Sequence, residues 1–217
     1  MSAYASMKDA IEVFTHYIAK ELGVRSELGA WSAHGSFRQN VSIKKMTLSE
    51  AIAFIKPAFK PSVSPQRWAD LGCGSGIFCE AVASRLASGS EILGLDKERQ
   101  PMKTFTNNVV QIQYRNGDFT QYEFDTMYDG FMLGNSIHYV ENKAEILKKL
   151  MKQLTPSGRI LVIEYDRSDA NEWVPFPIPF LELESICASE NIGVITKLNE
   201  RESSHGSQMY LCEIQHF

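Results

Sequence analysis

The sequence lacks the features of a membrane protein or of a general nucleic-acid binder. It contains no apolar run near the roughly 18 residues that a membrane-spanning helix needs, and no signal-peptide pattern opens it. Basic residues are not in excess, because 22 Lys and Arg stand against 26 Asp and Glu, for a net charge of −4. Sequence-independent binding to nucleic acid needs a positive field instead. We therefore expect a soluble protein with neither a membrane nor a nucleic-acid partner.

Cysteine is scarce and follows no metal-binding pattern. None of the four cysteines belongs to a Cys-x-x-Cys pair, and no histidine stands at zinc-ligand spacing from them. A chain of 217 residues also buries enough surface to fold without disulfides. We predict reduced thiols, a cytoplasmic location and no metal site. The cysteines are Cys73, Cys79, Cys187 and Cys212.

From about residue 65 onward, apolar runs of strand length alternate with amphipathic helical stretches. Seven strands are predicted, at 67–71, 91–95, 109–114, 128–133, 159–165, 193–198 and 208–215. Helices are predicted at 76–86, 97–107, 141–154 and 180–190, and we expect helices between the first six strands. This alternation predicts an α/β three-layer sandwich with a mostly parallel sheet. The last two strands should pair as an antiparallel C-terminal hairpin.

The first 60 residues have a different pattern. Residues 4–22 carry apolar side chains at helical spacing, and Thr47-Leu48-Ser49-Glu50 matches a capping box that opens a second helix. Residues 31–46 between them are polar with interspersed aromatics, which suits either a flap over a crevice or a cap on the sheet edge. We predict an N-terminal helical cap at 1–60 and an α/β domain at 61–217.

The most informative motif follows the first predicted strand. Residues 70–76 read Asp-Leu-Gly-Cys-Gly-Ser-Gly, and glycines there let the backbone approach a ligand closely. The third glycine, Gly76, comes one position too early for the dinucleotide fingerprint. The acid Asp70 stands two places before the first glycine, where it would repel a pyrophosphate but suits an ammonium group. The motif therefore indicates a positively charged cofactor.

Acidic residues also end or follow the second and third predicted strands. Asp96 ends the second strand, where a carboxylate can accept both hydrogens of a ribose diol. Asp118 follows the third strand, where it can accept a hydrogen bond from an adenine amino group while Phe119 packs on the ring. Because the carboxyl ends of parallel strands meet at one edge of a sheet, these acids indicate a single nucleoside-binding crevice.

In order and spacing, these motifs resemble the class I S-adenosylmethionine-dependent methyltransferases, which have a Rossmann-like domain. The resemblance covers about residues 65–217 and includes Tyr128-Asp129-Gly130, residues 135–140 and the terminal hairpin. It implies S-adenosylmethionine as the cofactor and an in-line methyl transfer. The cofactor-binding residues that it implies are Asp70, Gly72, Cys73, Gly74, Gly76, Asp96, Lys97, Asp118, Phe119, Gly134, Asn135 and Ser136.

For catalysis, the resemblance draws attention to the segment after the fourth strand. His138 lies on the reaction side there, and histidine is the usual general base near neutral pH, so it is the candidate general base. The alternative is a histidine that only packs under the cofactor, as is common in the family. His34, Glu164 and Asp166 are lesser candidates.

The acceptor is predicted to be a small molecule. The fourth strand is followed by Gly-Asn-Ser-Ile and not by the Pro-Pro loop that similar enzymes use for amino groups on bases or glutamine. Two stretches outside the family pattern are expected to contact the acceptor, through Trp31 and His34 in the cap and through Trp173 and Phe176 after the fifth strand. Three alternatives stay open, namely a protein or RNA methyltransferase, a non-catalytic cofactor-binding protein and, last, a nicotinamide-dependent oxidoreductase. The acceptor atom and the oligomeric state do not follow from the sequence.

Overall fold

The predicted strands form one mixed sheet in the computed structural model, which describes residues 46–98, 106–107, 110–203 and 206–217. The strands are β1 (Arg67–Leu71), β2 (Glu91–Asp96), β3 (Thr106–Asn107), β4 (Val110–Asn116), β5 (Tyr128–Gly134), β6 (Leu154–Tyr165), β7 (Val194–Glu202) and β8 (Gln208–Gln215). Their order is β3-β4-β2-β1-β5-β6-β8-β7. The five neighbouring strands β4, β2, β1, β5 and β6 are parallel to one another, and β8 runs antiparallel to both β6 and β7. The predicted fold class, including the antiparallel terminal hairpin, is confirmed.

Three details differ from the sequence prediction. Thr106–Asn107 form a short edge strand antiparallel to β4, where the helix 97–107 was predicted to end; residues 99–105 of that helix lie outside the described residues. No helix separates β4 from β5, because residues 117–127, all of them described, form turns and irregular structure. Strand β6 begins at Leu154, which pairs with Tyr128 ahead of a register shift.

Four α-helices surround the sheet in the described part of the chain. They are α1 (Leu48–Ile55), α2 (Ile77–Ala83), α3 (Lys143–Met151) and α4 (Phe180–Ser189), with short 3-10 helices at Lys56–Ala58 and Ile137–Tyr139. The predicted capping box opens α1, since Glu50 N donates to Thr47 Oγ1 at 3.3 Å and Thr47 N donates to Glu50 Oε2 at 2.8 Å. None of the helices described is both long and apolar enough to cross a bilayer.

Alternating residues of the strands enter two separate hydrophobic clusters, one on each face of the sheet. On one face, Leu71 and Phe131 pack with Leu147 of α3 and Leu183 of α4. On the other face, Trp68 and Met132 pack with Phe54 of α1 and Val82 of α2. Burial on both faces explains why the central strands read as nearly continuous apolar runs.

Helix α1 belongs to the same compact unit as the sheet, which comprises residues 46–170 and 174–217. Its Phe54 side chain lies in the hydrophobic cluster with Trp68, and Asn199 Nδ2 donates to the Phe54 carbonyl at 3.0 Å. Residues 171–173 are not part of this unit. The helix predicted at 4–22 lies outside the described residues, and the domain boundary at residue 60 stays a prediction.

Candidate functional site

The carboxyl ends of β1 and β5 lie side by side where the order of the strands reverses. From β1 the chain adds β2 and then β4 on one side, and afterwards returns to place β5 on the other side of β1. The loops that leave such a pair of strands diverge, and the crevice between them is the usual ligand site of an open α/β sheet. The residues predicted to bind a cofactor all lie at or just after the carboxyl ends of β1, β2, β4 and β5.

The glycine loop after β1 touches the loop after β5. Gly72 has a φ of +73°, and a Cβ added there would lie 2.6 Å from Ser136 Cβ, so any larger residue would clash. The backbone N–H groups of Gly72 and Cys73 both donate to the Leu95 carbonyl, at 2.8 and 3.2 Å. Gly74 has a φ of +50°, and no described atom lies within 4 Å of the position of its missing Cβ. The loop is thus anchored to β2 and leaves open space above Gly74.

Asp96, at the end of β2, is oriented by two backbone donors. Gly74 N donates to its Oδ2 and Glu98 N to its Oδ1, each at 2.8 Å. A carboxylate has about four acceptor sites, so lone pairs remain for a hydroxyl ligand. The next residue, Lys97, is exposed, and its Nζ lies 5.7 Å from the ring centroid of Tyr139, which links the end of β2 to the segment after β5.

Asp70 is a buried carboxyl group with one unsatisfied oxygen. The residue is 1% exposed, and Cys79 Sγ donates to its Oδ2 at 3.2 Å. Burial raises the pKa of Asp70 to about 7 because the charged form loses its hydration; the Asp96 charge adds to this effect and the Cys79 hydrogen bonds oppose it. Its Oδ1 has no hydrogen-bond partner among the described residues. That oxygen is therefore available to a cationic donor.

Unsatisfied polar atoms are concentrated at this crevice. Among the described residues, five buried side-chain atoms lack a hydrogen-bond partner, and three of them are Asp70 Oδ1, Asn135 Oδ1 and Ser136 Oγ. Asn135 also has a φ of +53°, in the left-handed region. Buried polar atoms in proteins are nearly always paired. The three atoms therefore fit a ligand rich in hydrogen-bond donors, such as the ammonium and hydroxyl groups of a nucleoside amino acid.

The adenine end of the predicted site lies after β4. Asp118 is exposed, and both hydrogen bonds to its carboxylate, from Thr120 N and Thr120 Oγ1, reach Oδ1. Phe119 is 8% exposed, and its Cε1 would lie 3.7 Å from a Cβ on Gly72. The structure thus places Phe119 beside the glycine loop, as an adenine-packing residue requires.

Gly134 and Gly76, also predicted to bind the cofactor, have structural roles that the sequence pattern did not indicate. A Cβ on Gly134 would lie 2.4 Å from Cδ2 of Phe78, so the close packing of α2 on β5 requires glycine there. Gly76 is the N-cap of α2, with a φ of +82°.

A buried histidine–carboxylate pair joins the segment after β5 to the end of β6. His138 Nδ1 lies 2.9 Å from both carboxylate oxygens of Glu164, and the backbone N–H groups of His138 and Tyr165 donate to the same carboxylate at 3.3 Å. His138 and Glu164 are 3% and 1% exposed. If Nδ1–H donates to Glu164, the imidazole lone pair is on Nε2. The sequence pattern indicated each residue separately but not their contact.

Of the residues predicted to contact the acceptor, the structure brings Phe176 to this pair. Phe176 N donates to the His138 carbonyl at 3.0 Å, and its side chain is 36% exposed. The Nζ of Lys143 lies 5.7 Å from the Phe176 ring centroid. Lys143 is buried, and burial lowers the pKa of its ammonium group while the Glu164 charge raises it.

The other candidates are placed elsewhere. Asp166 Oδ1 accepts a hydrogen bond from Phe180 N at 2.9 Å at the start of α4, which gives it a structural role. Trp173 is not part of the compact unit that holds the sheet, and its backbone N–H donates to Asn171 Oδ1 at 2.9 Å. Trp31 and His34 lie outside the described residues. Within the described ranges, no three His, Cys, Asp or Glu side chains converge as a metal site would require.

Three features together define a Rossmann-like nucleoside-binding domain. They are the sheet order, the glycine loop beside the reversal of strand order, and the acids at or after the ends of β1, β2 and β4. Residues 69–162 match the family model described as a methyltransferase domain. This part of the chain is similar to a methyltransferase domain, and the fold is the Rossmann-like fold of the class I S-adenosylmethionine-dependent methyltransferases, whose cofactor is S-adenosylmethionine. The resemblance and the cofactor expected from the motifs are confirmed.

Relatives with curated names are distant. A trans-aconitate 2-methyltransferase of Pseudomonas aeruginosa is 23% identical over 134 residues, which are 62% of this chain and 46% of that protein. A demethylmenaquinone methyltransferase of Lactiplantibacillus plantarum is 28% identical over 107 residues, 46% of this chain and 45% of that protein. The chain spans about half the length of the curated relatives it matches.

Solved structures share the fold at low sequence identity. The YcgJ protein of Bacillus subtilis superposes with a TM-score of 0.63 at 10% identity, covering 78% of this chain and 99% of that one. The 1,6-didemethyltoxoflavin-N1-methyltransferase of Burkholderia thailandensis, solved with its acceptor and S-adenosylhomocysteine, has a TM-score of 0.61 at 11% identity, covering 99% of this chain and 89% of that one. At such identities the likeness concerns the fold.

Proposed function

We propose that this protein transfers a methyl group from S-adenosylmethionine to a small-molecule acceptor. The observation that carries the proposal is the set of unsatisfied buried atoms, Asp70 Oδ1, Asn135 Oδ1 and Ser136 Oγ, at the crevice of a methyltransferase domain. These atoms need hydrogen-bond donors, and the methionyl ammonium and ribose hydroxyl groups of the cofactor supply them.

Each part of the cofactor has matching residues. Asp70 would bind the ammonium group, and Asp96, with Lys97 beside it, would accept from the ribose hydroxyl groups. The remaining contacts would come from the glycine loop to the methionine and ribose, from Asp118 and Phe119 to the adenine, and from residues 134–136 to the methionine near the methyl group. When bound, the cofactor supplies a sulfonium methyl group that is already activated for transfer.

The protein then has to align the acceptor, exclude water and receive a proton. We assign the last task to His138. Its Nδ1–H would donate to Glu164, which fixes the tautomer and stabilises the imidazolium, so that Nε2 accepts the proton from the acceptor oxygen or nitrogen. Phe176 lies against the same segment and would line the acceptor pocket.

A small molecule is favoured as the acceptor by two observations. The two curated relatives are named for small molecules, namely trans-aconitate and demethylmenaquinone. The net charge of −4 does not favour an RNA substrate.

We also place the protein in the cytoplasm, because its four buried cysteines form no disulfide.

Calorimetric titration with S-adenosylmethionine, S-adenosylhomocysteine and NAD tests the cofactor, and assays with carboxylic acids, phenols, quinols and amines then test the acceptor class. We expect micromolar binding of the first two ligands, no binding of NAD, and methylation of a member of one acceptor class. Binding of NAD alone would overturn the proposal. Cofactor binding without turnover of any acceptor would indicate a non-catalytic binding protein.

The role of His138 is tested with His138→Asn, whose side-chain amide can still donate to Glu164 but has no base at the position of Nε2. Loss of a general base lowers kcat about 10²–10⁴-fold, and we expect unchanged cofactor affinity. A rate equal to that of the original protein at every pH would show that His138 only packs.

A further inference from the structure

The buried Asp70 carboxyl group is held from one side only. Its Oδ2 accepts the thiol hydrogen of Cys79 at 3.2 Å, whereas its Oδ1 has no partner among the described residues. Cys79 is the third residue of α2 and is 0% exposed. Asp70 is the next-to-last residue of β1, and Cys79 lies in the following helix, so this hydrogen bond links the two ends of the glycine loop.

The thiol is well suited to act as a permanent donor. The pKa of Cys79 is raised well above its usual value by a hydrogen bond with Cys73, by burial and by the Asp70 charge. Cys79 therefore keeps its proton throughout the neutral range. An ionised carboxylate accepts hydrogen bonds and donates none, so a donating thiol favours the charged form of Asp70.

We propose that Cys79 is a positioning residue for the cofactor, whose thiol holds Oδ2 of Asp70 so that Oδ1 points to the ammonium group. The inference rests on the proposed function, because it takes the S-adenosylmethionine ammonium group as the ligand of Asp70. It adds a residue that contacts no part of the cofactor and acts through Asp70.

The other groups around Asp70 define what pH dependence to expect. From β2, the Asp96 carboxylate opposes ionisation of Asp70, and from α2 the Cys79 side chain and backbone favour it. On the side of β5, the nearby Asn135 and Ser136 are uncharged. Because burial raises the pKa of Asp70 to about 7, cofactor affinity should fall as the pH drops through neutrality.

The test measures binding of S-adenosylmethionine by calorimetry between pH 5.5 and 8, that is, about one and a half units below and one unit above the Asp70 pKa. Cys79→Ala removes the donor, so we expect the acidic fall in affinity to move upward by about one pH unit. Cys79→Ser retains a hydroxyl donor and should keep the midpoint of the original protein. Cys79→Val, an apolar residue of similar size, gives a second test if the alanine variant does not fold.

Two controls separate positioning from a general loss of structure. Cys187→Ala truncates a cysteine that is 0% exposed in the cluster on the opposite face of the sheet, and it should leave the midpoint unchanged. Methylthioadenosine, which lacks the ammonium group, should bind all variants without the shift.

The proposal is overturned if the fall in cofactor affinity at acidic pH has the same midpoint with and without the Cys79 donor. A shift of equal size in Cys79→Ser, or a shift that methylthioadenosine also shows, would overturn it as well. These outcomes all require that the original protein binds S-adenosylmethionine. Failure of that binding would instead remove the proposed function, and with it this inference.

Discussion

The crevice after β1 and β5 differs from the hairpin of β7 and β8 in whether its buried polar groups have hydrogen-bond partners. In the crevice, Asp70 Oδ1 and Ser136 Oγ have no partner among the described residues. At the hairpin, the fully buried Tyr210 hydroxyl donates to the Ile178 carbonyl at 2.8 Å. Burial of an unpaired polar group is unfavourable in both places. The difference indicates that the hairpin is completed by the protein itself and the crevice by a ligand.

Residues with positive φ values are concentrated at the crevice. Gly72, Gly74 and Asn135 have positive φ values at the crevice, where a constrained loop must present its backbone to open space. Strand β8 pairs antiparallel with both β6 and β7, with one register shift against β7 between Lys197 and Asn199. Five of its residues have buried apolar side chains. Gly89, Asn191 and Gly206 also have positive φ values, in turns away from the crevice. Sparsely populated backbone conformations are thus concentrated at the ligand side of the sheet without being confined to it.

The largest effect on stability is expected from Gly72→Ala. Alanine at a positive φ costs about 1–2 kcal/mol, and the contact of its Cβ with Ser136, at 2.6 Å, adds about 1–3 kcal/mol. We therefore expect the free energy of unfolding in urea to fall by about 3 kcal/mol.

The matched variant is Gly74→Ala, which has a positive φ but no described atom within 4 Å of its Cβ position. It should lose only about 1 kcal/mol of stability while weakening cofactor binding, because the methyl group enters the space assigned to the ligand. Equal losses of stability in the two variants would contradict the contact with Ser136.

Asp70→Asn should have opposite effects on binding and on stability. Loss of the charge that faces the ammonium group should weaken S-adenosylmethionine about 10–100-fold. In the original protein, the Asp70 pKa is about 7 when folded and about 3.8 when unfolded. The folded state thus holds an extra proton between these values, and the Asp70 contribution to stability is lost as the pH rises from about 4 to 7.

We expect Asp70→Asn to remove the decrease in stability that Asp70 causes between about pH 4 and 7. The measurement is the free energy of unfolding at a series of pH values. Asp118→Asn, which changes an exposed carboxylate, is the control and should leave the pH dependence as it is. A variant at Asp70 with an unchanged pH profile would show that this carboxyl group does not titrate near neutrality.

On the hairpin side of the comparison, an effect is expected on stability alone. Tyr210→Phe removes the hydrogen bond to the Ile178 carbonyl and should lower the free energy of unfolding by about 1–2 kcal/mol. Cofactor affinity should not change, because the hairpin is complete without a ligand. A loss of affinity comparable to that of Asp70→Asn would remove the distinction between the two regions.

Much of the fold and of the cofactor site could be predicted from the sequence because their signals are local. Short stretches of the sequence are enough to recognise the alternation of strands and helices, the glycines at 72, 74 and 76, and the acids at strand ends. The predicted helix between β4 and β5 was wrong for a local reason as well. Asp118 and Thr120 form a hydrogen-bonded turn there, a conformation that Asp and Thr side chains favour.

The sequence by itself determined the class of fold, the order of its elements and the loops that face the ligand. Only the tertiary structure decided which side chains meet there. His138 contacts Glu164 because β5 and β6 pair in a register that places Gly134 opposite Ile163, and Gly72 meets Ser136 because β1 lies beside β5. Local pattern cannot specify such contacts, since a shift of one residue in either register would turn the side chains to the opposite face of the sheet.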